Sequence, residues 1–261
     1  MSAILLESGI VHYEVIGRGR PIIFLHGWVG SWRYWMSAMQ TASTQFRAYA
    51  VDLWGFGDSA REPERYSLNR QVGLLQAFLN EMGIGKVALV AHGLGGLVGL
   101  TFTMQNQGVV DRIMAIQTPM ELAAVNNRLR STAQMADLVE WLVPRDPAAE
   151  PARVDANKTD LMALSMSFNS PNFNLANQVG SINRPCLLVY GPNDPGITQP
   201  PFDPQTAPHN IHLVTLEQSA HFPMLDDGAR FNRLMTDFLA LESGVSPREL
   251  QFKEEWRRRV R

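Results

Sequence analysis

Apolar and polar positions follow two rhythms along this chain. Largely apolar runs of strand length occur at Ile22–Leu25, Phe46–Val51, Val87–Val90, Val109–Ile116, Cys186–Tyr190 and Ile211–Leu216. Runs of this kind predict strands covered on both faces, as in a parallel sheet. Between them the apolar spacing changes to three and four residues. Leu68, Val72, Leu75, Leu79 and Met82 share one face of a predicted helix, with Ser67 as N-cap and Gly83 as stop. A second helix is predicted over Ser31–Thr44, a third over Leu94–Gln105, and a closing one on the stripe Phe231, Leu234, Phe238 and Leu241. Ala3–Glu7 and Ile10–Ile16, separated by Ser8-Gly9, read as antiparallel edge strands.

Strand and helix alternate down most of the chain, which predicts an α/β fold with a mostly parallel sheet and helices on both faces. The alternation breaks over 121–178, where helical patterns are interrupted by Pro144, Pro147, Pro151 and Pro171. That stretch is expected to be an inserted helical cap, with residues 1–120 and 179–242 forming the core. Residues 243–261 are expected to form a helical tail. Its stripe Phe252, Trp256 and Val260 and its terminal arginines fit a helix packed on its own body; docking of a partner or of a second copy of the chain is the alternative.

Composition narrows the function classes. The chain has 261 residues, 45% hydrophobic and 18% charged, with a net charge of −2. That balance suits a globular protein and offers no global attraction to nucleic acid or to an acidic membrane. One cysteine, Cys186, excludes an internal disulfide framework and a multi-cysteine metal site. No apolar run reaches membrane-spanning length and the N-terminus lacks a basic leader pattern, so the expected location is the cytoplasm. No histidine pair has metal-ligand spacing on a predicted helix, and no phosphate-binding loop is present; neither a metal nor another cofactor is expected.

The candidate chemistry sits where predicted strands end. The segments are Phe24-Leu25-His26-Gly27-Trp28, Asp52 to Ser59 (DLWGFGDS), Leu89 to Gly96 (LVAHGLGG), Leu187 to Asp194 (LLVYGPND) and Ser219 to Asp226 (SAHFPMLD). In this order, with a strand–turn–helix elbow, then an acid, then a late histidine, they resemble the α/β-hydrolase fold superfamily, in its capped esterase and carbon–carbon hydrolase-like branch. The resemblance spans roughly residues 10–242. It implies an Asp194–His221 pair and an oxyanion hole built from the backbone N–H groups of Leu94 and Trp28. Trp28, Trp54, Met162 and Met166 are candidate substrate-contacting residues.

Two positions depart from the pattern, the nucleophile position and the elbow's first glycine, where Ala91 stands. The elbow reads Ala91-His92-Gly93-Leu94-Gly95, with glycine where the family carries its nucleophilic serine. In a serine protease, loss of the nucleophile lowers turnover by about 10⁶. Ser59, Ser219, Cys186 and the cap serines offer no convincing replacement. Three readings remain: a natural variant that binds a small, largely apolar ligand and activates water through His221; a serine hydrolase inactivated by replacement at Gly93; and a non-enzymatic ligand-binding scaffold. His26 and His92 are expected to be structural, and His12, His209 and His212 to be surface or edge residues.

Overall fold

The computed structural model describes residues 2–169 and 174–250. Its sheet has eight strands: β1 (Ser2–Leu6), β2 (Gly9–Gly17), β3 (Arg20–Leu25), β4 (Phe46–Val51), β5 (Val87–His92), β6 (Val110–Ile116), β7 (Cys186–Tyr190) and β8 (Ile211–Thr215). They lie in the order β1-β2-β4-β3-β5-β6-β7-β8. Pairings β1/β2 and β2/β4 are antiparallel and the others parallel. This is an α/β-hydrolase fold. β5 lies at the centre with every residue buried, which is why Val-Ala-Leu-Val-Ala carries no polar alternation.

The helices cover both faces. The predicted Ser31–Thr44 helix divides into a 3₁₀ turn, Trp32–Trp35, and α1 (Met36–Ala42). The division has a cause: the Trp32 N–H donates to Asp52 Oδ1 at 2.9 Å, which pins the entry to the turn. α2 (Leu68–Glu81) buries its predicted stripe, and the Ser67 side chain accepts from the Arg70 N–H as its cap. α3 (Leu94–Gln105) is apolar on all sides because it lies between the sheet and α2.

Four short helices are inserted between β6 and β7: α4 (Asn127–Arg130), α5 (Met135–Leu142), α6 (Glu150–Ala156) and α7 (Leu161–Ser167). Ionic and hydrogen-bonded contacts fasten this insertion to the core. Buried Asp155 accepts from Ser31 Oγ and pairs with Arg33 Nε at 2.8 Å. Lys158 Nζ lies 2.9 Å from Asp58 Oδ1, and Tyr66 donates to Asp160 Oδ2 at 2.7 Å. After β8 come α8 (Pro223–Asp226) and α9 (Gly228–Ala240).

The start of the tail differs from the expected helix. Residues 244–250 contain a 3₁₀ turn, Pro247–Glu249, docked along the outer strand. Ser246 Oγ donates to His209 O, and the Arg248 guanidinium to the carbonyls of Ala207, Pro208 and Ile211. This turn covers the edge of β8. The stripe Phe252, Trp256 and Val260 lies outside the described residues. Among the described residues no helix is long and apolar enough to cross a membrane.

Candidate functional site

The C-terminal ends of β3, β5, β6, β7 and the loop after β8 converge on Gly93. The turn between β5 and α3 places Gly93 at φ +51° and ψ −112°, which costs strain for a residue with a side chain and little for glycine. The Gly93 N–H donates to Ile116 O at 2.9 Å and the Gly95 N–H to His26 O at 2.9 Å, so the turn is tied to both neighbouring strands. Leu94 opens α3, where backbone N–H groups point out of the helix and can meet an anion.

Asp194 and His221 meet. His221 Nδ1 is 2.9 Å from Asp194 Oδ2, with both side chains 0% exposed. The carboxylate accepts, so Nδ1 carries the proton and Nε2 presents its lone pair. Nε2 is buried and has no hydrogen-bond partner among the described residues. Asp194 Oδ1 accepts from the Gly196 N–H at 2.7 Å, and the Ala220 N–H donates to Asp226 Oδ2 at 2.8 Å. Gln117 joins the two loops, its Nε2 donating to Gly191 O and Ala220 O at 3.1 and 2.6 Å. Nothing in the local sequence marks Gln117; its role comes from three chain segments meeting.

Beneath His221 runs a directed chain of hydrogen bonds. The Gly27 N–H donates to Tyr34 Oη at 2.6 Å, and Tyr34 Oη donates to His92 Nδ1 at 2.9 Å. His92 Nε2–H then donates to His221 O at 2.8 Å. Each group has one role, which fixes His92 as neutral. Burial holds its pKa well below 6.5, with the neighbouring His221 adding to the effect. His26 is also neutral: Nδ1–H donates to Gly27 O at 2.8 Å and Nε2 accepts from the Leu53 N–H at 3.0 Å. Burial lowers its pKa too. Both rings are buried and held by hydrogen bonds on both nitrogens.

Trp28 stands directly over the elbow. A Cβ placed on Gly93 would lie 3.1 Å from Trp28 Cε3 and Cζ3. The indole is fully buried, donates from Nε1 to Ser167 Oγ at 2.8 Å and stacks on Phe168 at 5.0 Å and 24°. Trp54 and Met162 are corrected by the structure. The Trp54 indole packs under the Arg65 guanidinium at 5.0 Å, with Gly9 against its outer edge, so it belongs to the sheet-edge packing. Met162 is 49% exposed because α7 turns Ala163, Leu164 and Ser167 inward. Met166, on the same outer side, is half-buried against the core.

His12 is also corrected. It is 4% exposed, and its Nδ1 lies 3.0 Å from Asp52 Oδ2. His12, Asp52 and Asp58 bring their ligand-type atoms within 4.8 Å of one another, and the Lys158 ammonium already supplies a cation on Asp58. Burial opposes charge on His12, but Asp52, with Asp58 and Glu14 behind it, outweighs this and raises the pKa. Cys186 is buried in β7, and burial pushes its thiol up to about 12, which fits a core residue.

These histidines predict a stability maximum near the ordinary imidazole value of 6.5. Below it the unfolded chain gains protons that folded His26 and His92 refuse, so stability falls as pH falls. Above it folded His12 keeps a proton that the unfolded chain has lost, so its contribution fades as pH rises through its raised value. Thermal melts across the near-neutral range read both limbs. His12→Asn is expected to flatten the alkaline limb alone; an unchanged alkaline limb would remove His12 from this account.

Comparison with known proteins agrees with this architecture. A family model described as "Alpha/beta hydrolase family" matches residues 22–234. A soluble epoxide hydrolase from Corynebacterium sp. (strain C12) is 30% identical over 106 residues, 41% of this chain and 37% of that one. A bifunctional epoxide hydrolase 2 from Sus scrofa is 23% identical over 201 residues, 75% of this chain and 36% of that protein. The matches thus span well under half the length of these two relatives. A solved hydrolase from Pseudomonas aeruginosa PA01 superposes with a TM-score of 0.80 at 18% identity, covering 92% of this chain and 98% of the other. With the family model covering most of the chain and the sheet order now described, this chain belongs to the alpha/beta hydrolase family.

Proposed function

We propose that this protein binds a small, largely apolar molecule at the Gly93–His221 end of the sheet and adds water to it without a covalent enzyme intermediate. The observation that carries this reading is the buried His221 ring, with Nδ1–H on Asp194 and an unpartnered Nε2, beside an elbow that has no nucleophile. Nε2 takes a proton from water, and the hydroxide oxygen bonds to an electrophilic carbon. The N–H groups of Leu94 and Trp28 receive the charge that develops on the substrate oxygen. Protonated His221 then returns its proton to the leaving oxygen. Two relatives are named for epoxide hydrolysis, itself an addition of water, which supports this reaction class. The apolar walls are Trp28, Phe168 and Leu94.

The fit of Trp28 over Gly93, with Ala91 as a second departure, favours a natural glycine over the replacement of a serine. The buried Trp28–Phe168 stack also supports a second reading, a ligand-binding scaffold without turnover.

Hydrolysis of p-nitrophenyl acetate, with a fluorophosphonate probe in parallel, tests the proposal. The expected result is slow turnover with no initial burst, no stoichiometric labelling, and loss of the turnover in His221→Ala. Stoichiometric labelling would reveal a nucleophile that this reading denies. Turnover unchanged in His221→Ala would remove His221 from the chemistry, and no turnover at all would leave the scaffold reading.

A further inference from the structure

A cleft with both charged and apolar walls lies at the opposite end of the strands, where β3, β5 and β6 begin. Its volume is about 190 Å³, and Arg20, Lys86, Asp111 and Arg112 line it together with the apolar Phe46 and Leu239. Three cations therefore face one carboxylate, in a chain whose overall charge is −2.

That carboxylate is already engaged. Asp111 Oδ2 lies 2.8 Å from Arg112 Nε, while its Oδ1 accepts from Ser243 Oγ at 2.5 Å and lies 3.7 Å from Lys86 Nζ. Arg112 itself is 1% exposed. Nε is held by Asp111 and Nη1 donates to Phe238 O at 2.7 Å, but Nη2 is buried with no partner among the described residues. A cationic donor buried without an acceptor carries a large penalty, and a ligand oxygen relieves it. Arg20 stands over the Phe46 ring at 5.2 Å, which holds its guanidinium at the rim. Lys86, 54% exposed, supplies a mobile charge on the other side.

We propose that this cleft is a binding site for a small organic monocarboxylate with a short apolar body, its charge set among Arg20, Lys86 and Arg112 and its body against Phe46 and Leu239. The apolar walls select against a fully hydrated inorganic anion, and the small volume suits a short apolar body. The site is independent of the Gly93–His221 chemistry, because the two lie at opposite ends of the same parallel strands.

Calorimetric titration of the full chain at low ionic strength with butyrate, butyramide and inorganic phosphate tests this without any assay of turnover. Butyrate is expected to bind saturably and butyramide not to bind. Lys86→Glu, at an exposed position that spares the fold, is expected to weaken butyrate by about tenfold, and Arg20→Gln to weaken it less. Equal binding of butyrate and butyramide would show that charge is not read. Butyrate binding insensitive to both variants would place the ligand elsewhere. Phosphate binding in preference to butyrate would overturn the assigned ligand class. Each of these outcomes leaves the His221 proposal to stand or fall on its own experiment.

Discussion

Gly93→Ser is expected to destabilise the protein by about 1–3 kcal/mol and to leave it unlabelled by a fluorophosphonate. The stability loss comes first from the backbone. At φ +51° a serine occupies a region that side chains disfavour, and glycine does not meet that cost. The second part is steric. The serine Cβ would stand 3.1 Å from two carbons of the Trp28 ring. Trp28 has no easy retreat: Ser167 holds Nε1 and Phe168 lies against its face. The Trp28 ring therefore crowds the new side chain, although acid, base and helix start are all in place. Urea melts and probe labelling read the two effects separately. Stoichiometric labelling of Gly93→Ser, with ester turnover raised by orders of magnitude, would mean that a serine fits here unaided, and the replaced-serine reading would prevail. The pair Gly93→Ser/Trp28→Leu frees the space, and labelling is expected there.

The strands of the core were legible because they are buried on both faces. β4 and β7 run over the residues their apolar stretches mark, and Ser67 caps α2 where its position before the stripe suggests. The loops bearing Asp194 and His221 follow from the order of strand ends, and the two side chains do meet. What was illegible depends on contacts remote in sequence. His12 sits on β2, beside the edge strand β1, in a stretch where an isolated histidine reads as exposed, yet its partner Asp52 is 40 positions away. Trp28 and Trp54 follow similar strand-end turns, and only packing sends one indole over Gly93 and the other towards Gly9. Met162 and Met166 are one helical turn apart, but which side of so short a helix faces inward depends on where α7 docks.

Asp52→Ala is expected to cost about 3–5 kcal/mol, the largest loss from a single side chain outside the apolar core. The Asp52 carboxylate is 0% exposed and accepts from the Trp32 N–H at 2.9 Å, the Asp58 N–H at 3.1 Å and His12 Nδ1 at 3.0 Å. Three donors from three segments are what make a buried charge tolerable. Alanine would leave two amides and an imidazole facing an apolar wall, each losing its acceptor. Gly57 shows how tightly the carboxylate is enclosed: it has positive φ, and a Cβ there would overlap the Asp52 oxygens. The effect should reach the candidate site, because the Leu53 N–H next along the chain donates to His26 Nε2, and His26 begins the turn that carries Trp28. Urea titration should show a lower midpoint with an unchanged slope, as for a native state that remains compact. Without Asp52 the chief partner that raises the His12 pKa is gone, so the alkaline limb of the pH–stability profile should shrink in the same variant. A loss of under about 1 kcal/mol would show that water or a neighbouring side chain satisfies the three donors and that Asp52 does not organise these loops.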